Sequence, residues 1–182
     1  MHKIIMIFSL LIIPSLALAQ NTHSPYAGQE SREIKALSLE DIEGYLTGQG
    51  MGFAKAAELN RYPGPKHVLE LVGELHLSEE QIAKTKAIYS QMNNEAVLIG
   101  KLIVEKEKAL NDLFANQKID ENQLKEMTVE IGRLKGKLRA VHLTAHLRLK
   151  KVLLLHQIDR YDMLRGYQGN KSKGKHDHHM GN

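Results

Sequence analysis

Apolar residues recur at helical spacing along two long stretches of this chain, and the remaining segments read as attachments to them. In the first stretch Ile82, Tyr89, Ala96, Ile103 and Leu110 fall seven apart, with Met92, Ile99 and Leu113 interleaved. In the second, Leu124, Met127, Ile131, Leu134, Leu138, Val141, Ala145, Leu149 and Val152 step by three and four. Each series is one apolar stripe on one helix, and a step near 3.5 suits helices packed side by side at a shallow angle. Both arms open on the same local chemistry. Ser78 followed by Gln81, and Asp120 followed by Gln123, are capping boxes in which each side chain satisfies a backbone N–H at the helix start. The polar connection at Asn116, Gln117 and Lys118 is short, so the arms are predicted to lie antiparallel, in a hairpin roughly 50 Å long. Secondary apolar positions at Ile88, Leu102 and Phe114, and at Leu143, Leu147 and Leu154, ask for further cover.

Shorter segments flank the hairpin. Ser38 caps a short helix through Leu46, and Gly48, Gly50 and Gly52 separate it from a second helical piece over 53–59. Tyr62-Pro63-Gly64-Pro65 is a turn, with Pro65 suited to the first position of a helix carrying Val68, Leu69, Leu71, Val72 and Leu75. After Leu155, a helix with Ile158, Tyr161, Met163 and Leu164 ends at Gly166. No segment alternates as a strand does. The expected fold is therefore all-α, a long antiparallel helical hairpin with short flanking helices, spanning 38–167. Residues 20–37 are expected to be a disordered lead-in and 168–182 a disordered His-rich tail.

The chain starts with His2 and Lys3, an apolar run from Ile4 to Leu18, and Ala17-Leu18-Ala19 before Gln20. This is the pattern of a secretory signal peptide over 1–19 with cleavage after Ala19, and the apolar run is shorter than the ~20 residues a membrane span needs. With no cysteine there is no lipid-attachment site, disulfide or thiolate ligand. A soluble periplasmic protein is the expectation. Removing Lys3 with the leader leaves 24 Lys and Arg against 21 Asp and Glu, a net +3. So small an excess does not point to nucleic acid. Its distribution is more telling, because Arg133 to Lys151 carries seven basic residues and no acid. Dipole compensation explains the last turn of such a run. The rest suggests a positively charged face, with Lys135, Arg139 and Lys150 as candidates for binding a client or partner.

Leu77-Ser78-Glu79-Glu80-Gln81 is a form of the Leu-Thr-x-x-Gln motif, and Leu153-Leu154-Leu155-His156-Gln157 stands where a second copy would fall. In this setting the chain resembles the periplasmic LTXXQ family, which includes the Spy and CpxP envelope-stress chaperones, zinc-resistance-associated proteins and heavy-metal sensors. The second copy keeps Leu153 and Gln157 but has Leu154 in place of the capping Thr. The resemblance spans roughly Pro63 to Tyr167 and implies a curved helical cradle, often an antiparallel dimer, that binds unfolded proteins or senses metal. The apolar surface left on two long arms likewise leads to an expected homodimer.

No catalytic constellation appears, and an enzyme is not expected. No organic cofactor is indicated, because Gly48, Gly50 and Gly52 are neither preceded by a strand nor followed by Lys-Ser/Thr. Histidine carries the chemical signal. His142 and His146 stand one turn apart on the second arm, where two imidazoles can share a Zn(II), Ni(II) or Cu(II) ion given a third ligand, or can simply flank the apolar stripe. His176, His178 and His179 form a second cluster in the tail. Two functions follow. One is an ATP-independent holdase for unfolded envelope proteins, possible with or without metal. The alternative is a heavy-metal sensor or sequestering protein acting on a membrane signalling partner. A structural interaction module with neither activity is the blander third reading.

Overall fold

The computed structural model describes residues 24–167. The leader, the start of the lead-in and the tail with His176, His178 and His179 lie outside the described residues. Two compact units divide the chain at Ser31. Of the first, residues 24–31 form successive turns closed by their own backbone, with Ala27 N donating to Ser24 O and Gln29 N to Tyr26 O, both at 3.0 Å.

The second unit is all-helical: among the described residues there are six helices and no strand. They are α1 (Leu39–Thr47), α2 (Lys55–Glu58), α3 (Pro65–Glu70), α4 (Glu79–Ala115), α5 (Glu121–Lys150) and α6 (Leu155–Leu164). None is long and apolar enough to cross a membrane. With 37 and 30 residues, α4 and α5 run for about 55 and 45 Å. Their starts are as the sequence demands: Gln81 N donates to Ser78 Oγ (3.2 Å), Gln123 N to Asp120 Oδ1 (2.8 Å), and each Gln side chain accepts the cap's own N–H. The turn between them closes with Gln117 at φ 54° and Lys118 N donating to Leu113 O, so α5 returns along α4 and the two pack against each other.

Two apolar clusters hold the smaller elements to this hairpin. Ile34, Leu37 and Tyr45 pack on Ala96, Ile103, Leu134 and Leu138 midway along it. Val68, Leu75, Leu149, Leu153, Ile158 and Tyr161 form the second cluster, where α3 and α6 close the end at which α4 begins. The packed body thus begins before the Ser38 cap. Ile34 and Leu37, placed in a disordered lead-in on polarity, are 3% and 6% exposed, and Asn111 ties their segment to α4 through Lys35 N and Glu33 O. α1 crosses α4 with its backbone close against Gly100. A Cβ on Gly100 would stand 2.0 Å from Tyr45 O, so only glycine lets the two backbones meet there.

Candidate functional site

The two motif copies come together. At the end of the hairpin where α4 starts and α6 follows α5, Gln81 Nε2 donates to Gln157 Oε1 (2.8 Å) and Gln157 Nε2 donates back to Gln81 Oε1 (3.1 Å). Each amide also serves its own helix start, since Gln81 Oε1 accepts Ser78 N and Gln157 Oε1 accepts Leu154 N. The second N–H of each reaches a loop carbonyl, Val152 O from Gln81 and Leu75 O from Gln157. Every donor and acceptor of the pair is used, which is why Gln157 tolerates being 2% exposed. Leu154 offers no side-chain cap, and the amide of Gln157 takes over at that helix start. Leu153 is buried and Leu77 packs against the same cluster.

The two histidines of α5 are both buried, at 2% and 7% exposed, so they belong to the stripe itself and do not flank it. They also part ways. His142 lies parallel to the Phe53 ring with centres 6.0 Å apart, and its Nε2 is buried without a hydrogen-bond partner. Burial and the neighbouring His146 push its pKa down to about 4. His146 instead joins a polar knot. Its Nδ1 donates to Tyr62 O (2.7 Å) and lies 3.6 Å from Glu58 Oε2. Glu58 Oε1 accepts the hydroxyls of Tyr161 and Tyr167, and Arg165 stands 3.7 Å away. Burial first, then the bond to Glu58, pushes the Tyr161 hydroxyl well above its ordinary pKa.

This knot is one wall of a cleft of about 620 Å³, bounded by the 47–55 loop, the start of α3, and Tyr89, Met92 and Asn93 of α4. Glu58, Gly64, His67 and His146 all line it, whereas His142 does not. Among the described residues no three or more His, Cys, Asp or Glu are grouped as a finished metal site. Sequence reasoning missed Glu58 entirely. It sits in a four-residue helix whose partners lie about a hundred positions away, and no local pattern marks it.

Of the basic candidates, Lys135 Nζ is 2.7 Å from Glu107 Oε1, a carboxylate whose side chain is 8% exposed. Lys150 Nζ stands 3.7 Å over the Tyr62 ring. Arg139 is exposed. Lys135 and Lys150 therefore have partners inside the fold as well as charge to offer. A shallow groove runs between the long helices, lined by Ile88, Met92, Ala140, Val141 and Ala145 with Arg148 at its rim. Leu98 and Leu102 of α4 are exposed at 64% and 44%. Set against known protein families, curated proteins and solved structures, the chain matches none.

Proposed function

We propose that this chain is an exported binding protein of the LTXXQ type that holds unfolded envelope proteins without nucleotide or catalysis. The observation that carries the reading is the reciprocal Gln81–Gln157 pair. The two motif segments, whose glutamines are 76 positions apart, act as one structural unit. The hairpin adds a candidate surface, a groove in which Ile88, Met92, Ala140, Val141 and Ala145 stand beside Gln91, Glu95, Thr144 and Arg148. Exposed leucines with nearby cations suit extended chains that carry both apolar and acidic residues. In this reading the protein works in the periplasm after cleavage behind Ala19, and a second copy shares the apolar surface. The test is suppression of aggregation of a reduced, unfolded client by the full mature chain, with no ATP and with chelator present. Leu98→Ser with Leu102→Ser is expected to weaken suppression several-fold at unchanged helicity. Equal suppression by the double variant, or none by the parent, would sink the reading.

A further inference from the structure

We infer that the cleft beside α3 binds a free α-amino acid with an aliphatic side chain, its ammonium on Glu58 and His146 and its carboxylate toward Lys55 and Lys66. The inner wall is what selects an ammonium. Glu58 Oε2 is buried with no hydrogen-bond partner, while Oε1 accepts from Tyr161 and Tyr167 and has Arg165 on its side. A carboxylate oxygen in that state costs free energy until a donor reaches it. His146 adds a second acceptor, because a neutral ring that gives its Nδ1 proton to Tyr62 O keeps a lone pair on Nε2.

The two acceptors border one space. A Cβ built on Gly64 would stand 3.2 Å from Glu58 Oε2 and 3.3 Å from His146 Nε2, so both atoms face the room that the absent side chain leaves. The backbone gives no other reason for glycine, because φ −85° and ψ 137° suit any residue. Two acceptors call for a group that only donates. A primary ammonium, with three N–H donors and no acceptor, is such a group.

The rest of the lining decides what the ammonium is attached to. Lys55, the first residue of α2, and Lys66, the second of α3, bring two exposed cations to a cleft in which Glu58 is the one carboxylate among the described residues. A plain alkylamine meets those lysines with repulsion, whereas a zwitterion offers them an anion. Met51, Tyr89 and Met92 supply apolar surface for a side chain. At about 620 Å³ the cleft falls within the range of small-molecule sites, which combine such surface with a few converging polar groups. This inference goes beyond the holdase reading and does not rest on it.

The test is calorimetric titration of the full mature chain with three probes. They are L-leucine, L-leucinamide, which keeps the ammonium without a carboxylate, and N-acetyl-L-leucine, which keeps the carboxylate without an ammonium. One L-leucine per chain is expected with a Kd below about 1 mM, and both blocked forms about tenfold weaker or worse. Changing Lys55→Gln together with Lys66→Gln is expected to weaken L-leucine about fivefold or more at unchanged thermal stability. Glu58→Gln keeps the side chain's shape and is expected to weaken L-leucine about tenfold. Should that variant lose helicity, Gly64→Ala, which fills the room between the two acceptors, takes its place. Absence of L-leucine binding tighter than about 1 mM would overturn the assignment. So would leucinamide or N-acetyl-leucine binding as tightly as L-leucine, the first of these pointing to a peptide amino terminus instead. Unchanged L-leucine affinity in the lysine pair, or in the variant of the inner wall, would overturn it as well. Aggregation suppression is measured with no amino acid added, so either idea can fail alone.

Discussion

The two ends of the hairpin grow from the same periodic sequence and finish unlike each other. At the closed end, where α2, α3 and α6 lie on the long helices, Thr85, His142, His146 and Gln157 are buried beside Leu149 and Tyr161. At the turn end no residue from 108 to 130 is buried, and Phe114 and Val129 are 53% and 64% exposed. A stripe of period 3.5 is enough to pair two helices, but a pair alone covers only one side of each stripe. Burial needs a third layer, and the third layer is what admits polar groups, since it brings carbonyls and carboxylates within their reach. Stability should therefore concentrate at the crossing of α1 and at the closed end, and substitutions can probe that gradient directly.

The largest effect is expected at Gly100. A methyl group there cannot coexist with Tyr45 O at 2.0 Å, so Gly100→Ala must lift α1 and the Ile34–Leu37 segment off the hairpin. A loss of about 4 kcal/mol is expected in denaturant unfolding, in the range of severe overpacking. A loss under about 1 kcal/mol would mean that α1 is not a fixed layer.

Next comes acid. His142 protonates near 4 in the folded chain, against 6.5 for the ordinary imidazole. Between those values the unfolded chain binds more protons, so stability rises with pH there and is lost as pH falls from about 6.5 to 4. The full contribution is roughly 3 kcal/mol. Comparing the parent with His142→Leu at pH 7.5 and pH 4 isolates it from the carboxylates, which titrate in both. Parallel pH profiles would show that His142 is not the group responsible.

The glutamine pair should rank third. Gln157→Ala leaves Gln81 Nε2 with one acceptor fewer and strips Leu154 N and Leu75 O of their partner. About 2 kcal/mol is expected by thermal unfolding, because orphaned buried groups cost more than the bond itself was worth. If Gln81→Ala and the double substitution each cost the same as the single one, the two amides act as a unit.

How much of this was legible depends on sequence separation. The long helices, their capping boxes and the Gly166 stop were readable because each signal lies within four residues of what it specifies. Ile34 and Leu37 were missed for the opposite reason: so short an apolar series establishes no period, and their burial comes from Ala96 and Leu138 far along the chain. The histidine pair was half legible. Spacing places both rings near one face of α5, but Phe53 and Tyr62, from separate loops, decide that one ring stacks and the other donates. Glu58 and the cleft could not be read at all, since α2, α5 and α6 have to meet before the site exists. The basic run was legible as charge but not as structure, and Lys135→Gln would now be expected to strand the buried Glu107 carboxylate.

The smallest effect belongs to the turn end, and it tests the gradient from below. Phe114 is large, apolar and more than half exposed on the last turn of α4, so in a single copy Phe114→Ser removes little buried area. A change within about 0.5 kcal/mol is expected at low protein concentration. The same substitution also reads the proposed dimer. If a second copy covers the turn end, the parent's unfolding midpoint rises with concentration, and the difference between parent and Phe114→Ser grows with it, because association stabilises only the form that binds. A difference that stays small across a hundredfold range of concentration would leave the turn end uncovered and remove Phe114 from any interface. A loss above about 1 kcal/mol already at the lowest concentration would break the comparison itself, since it would require a covering layer at the turn end within one chain.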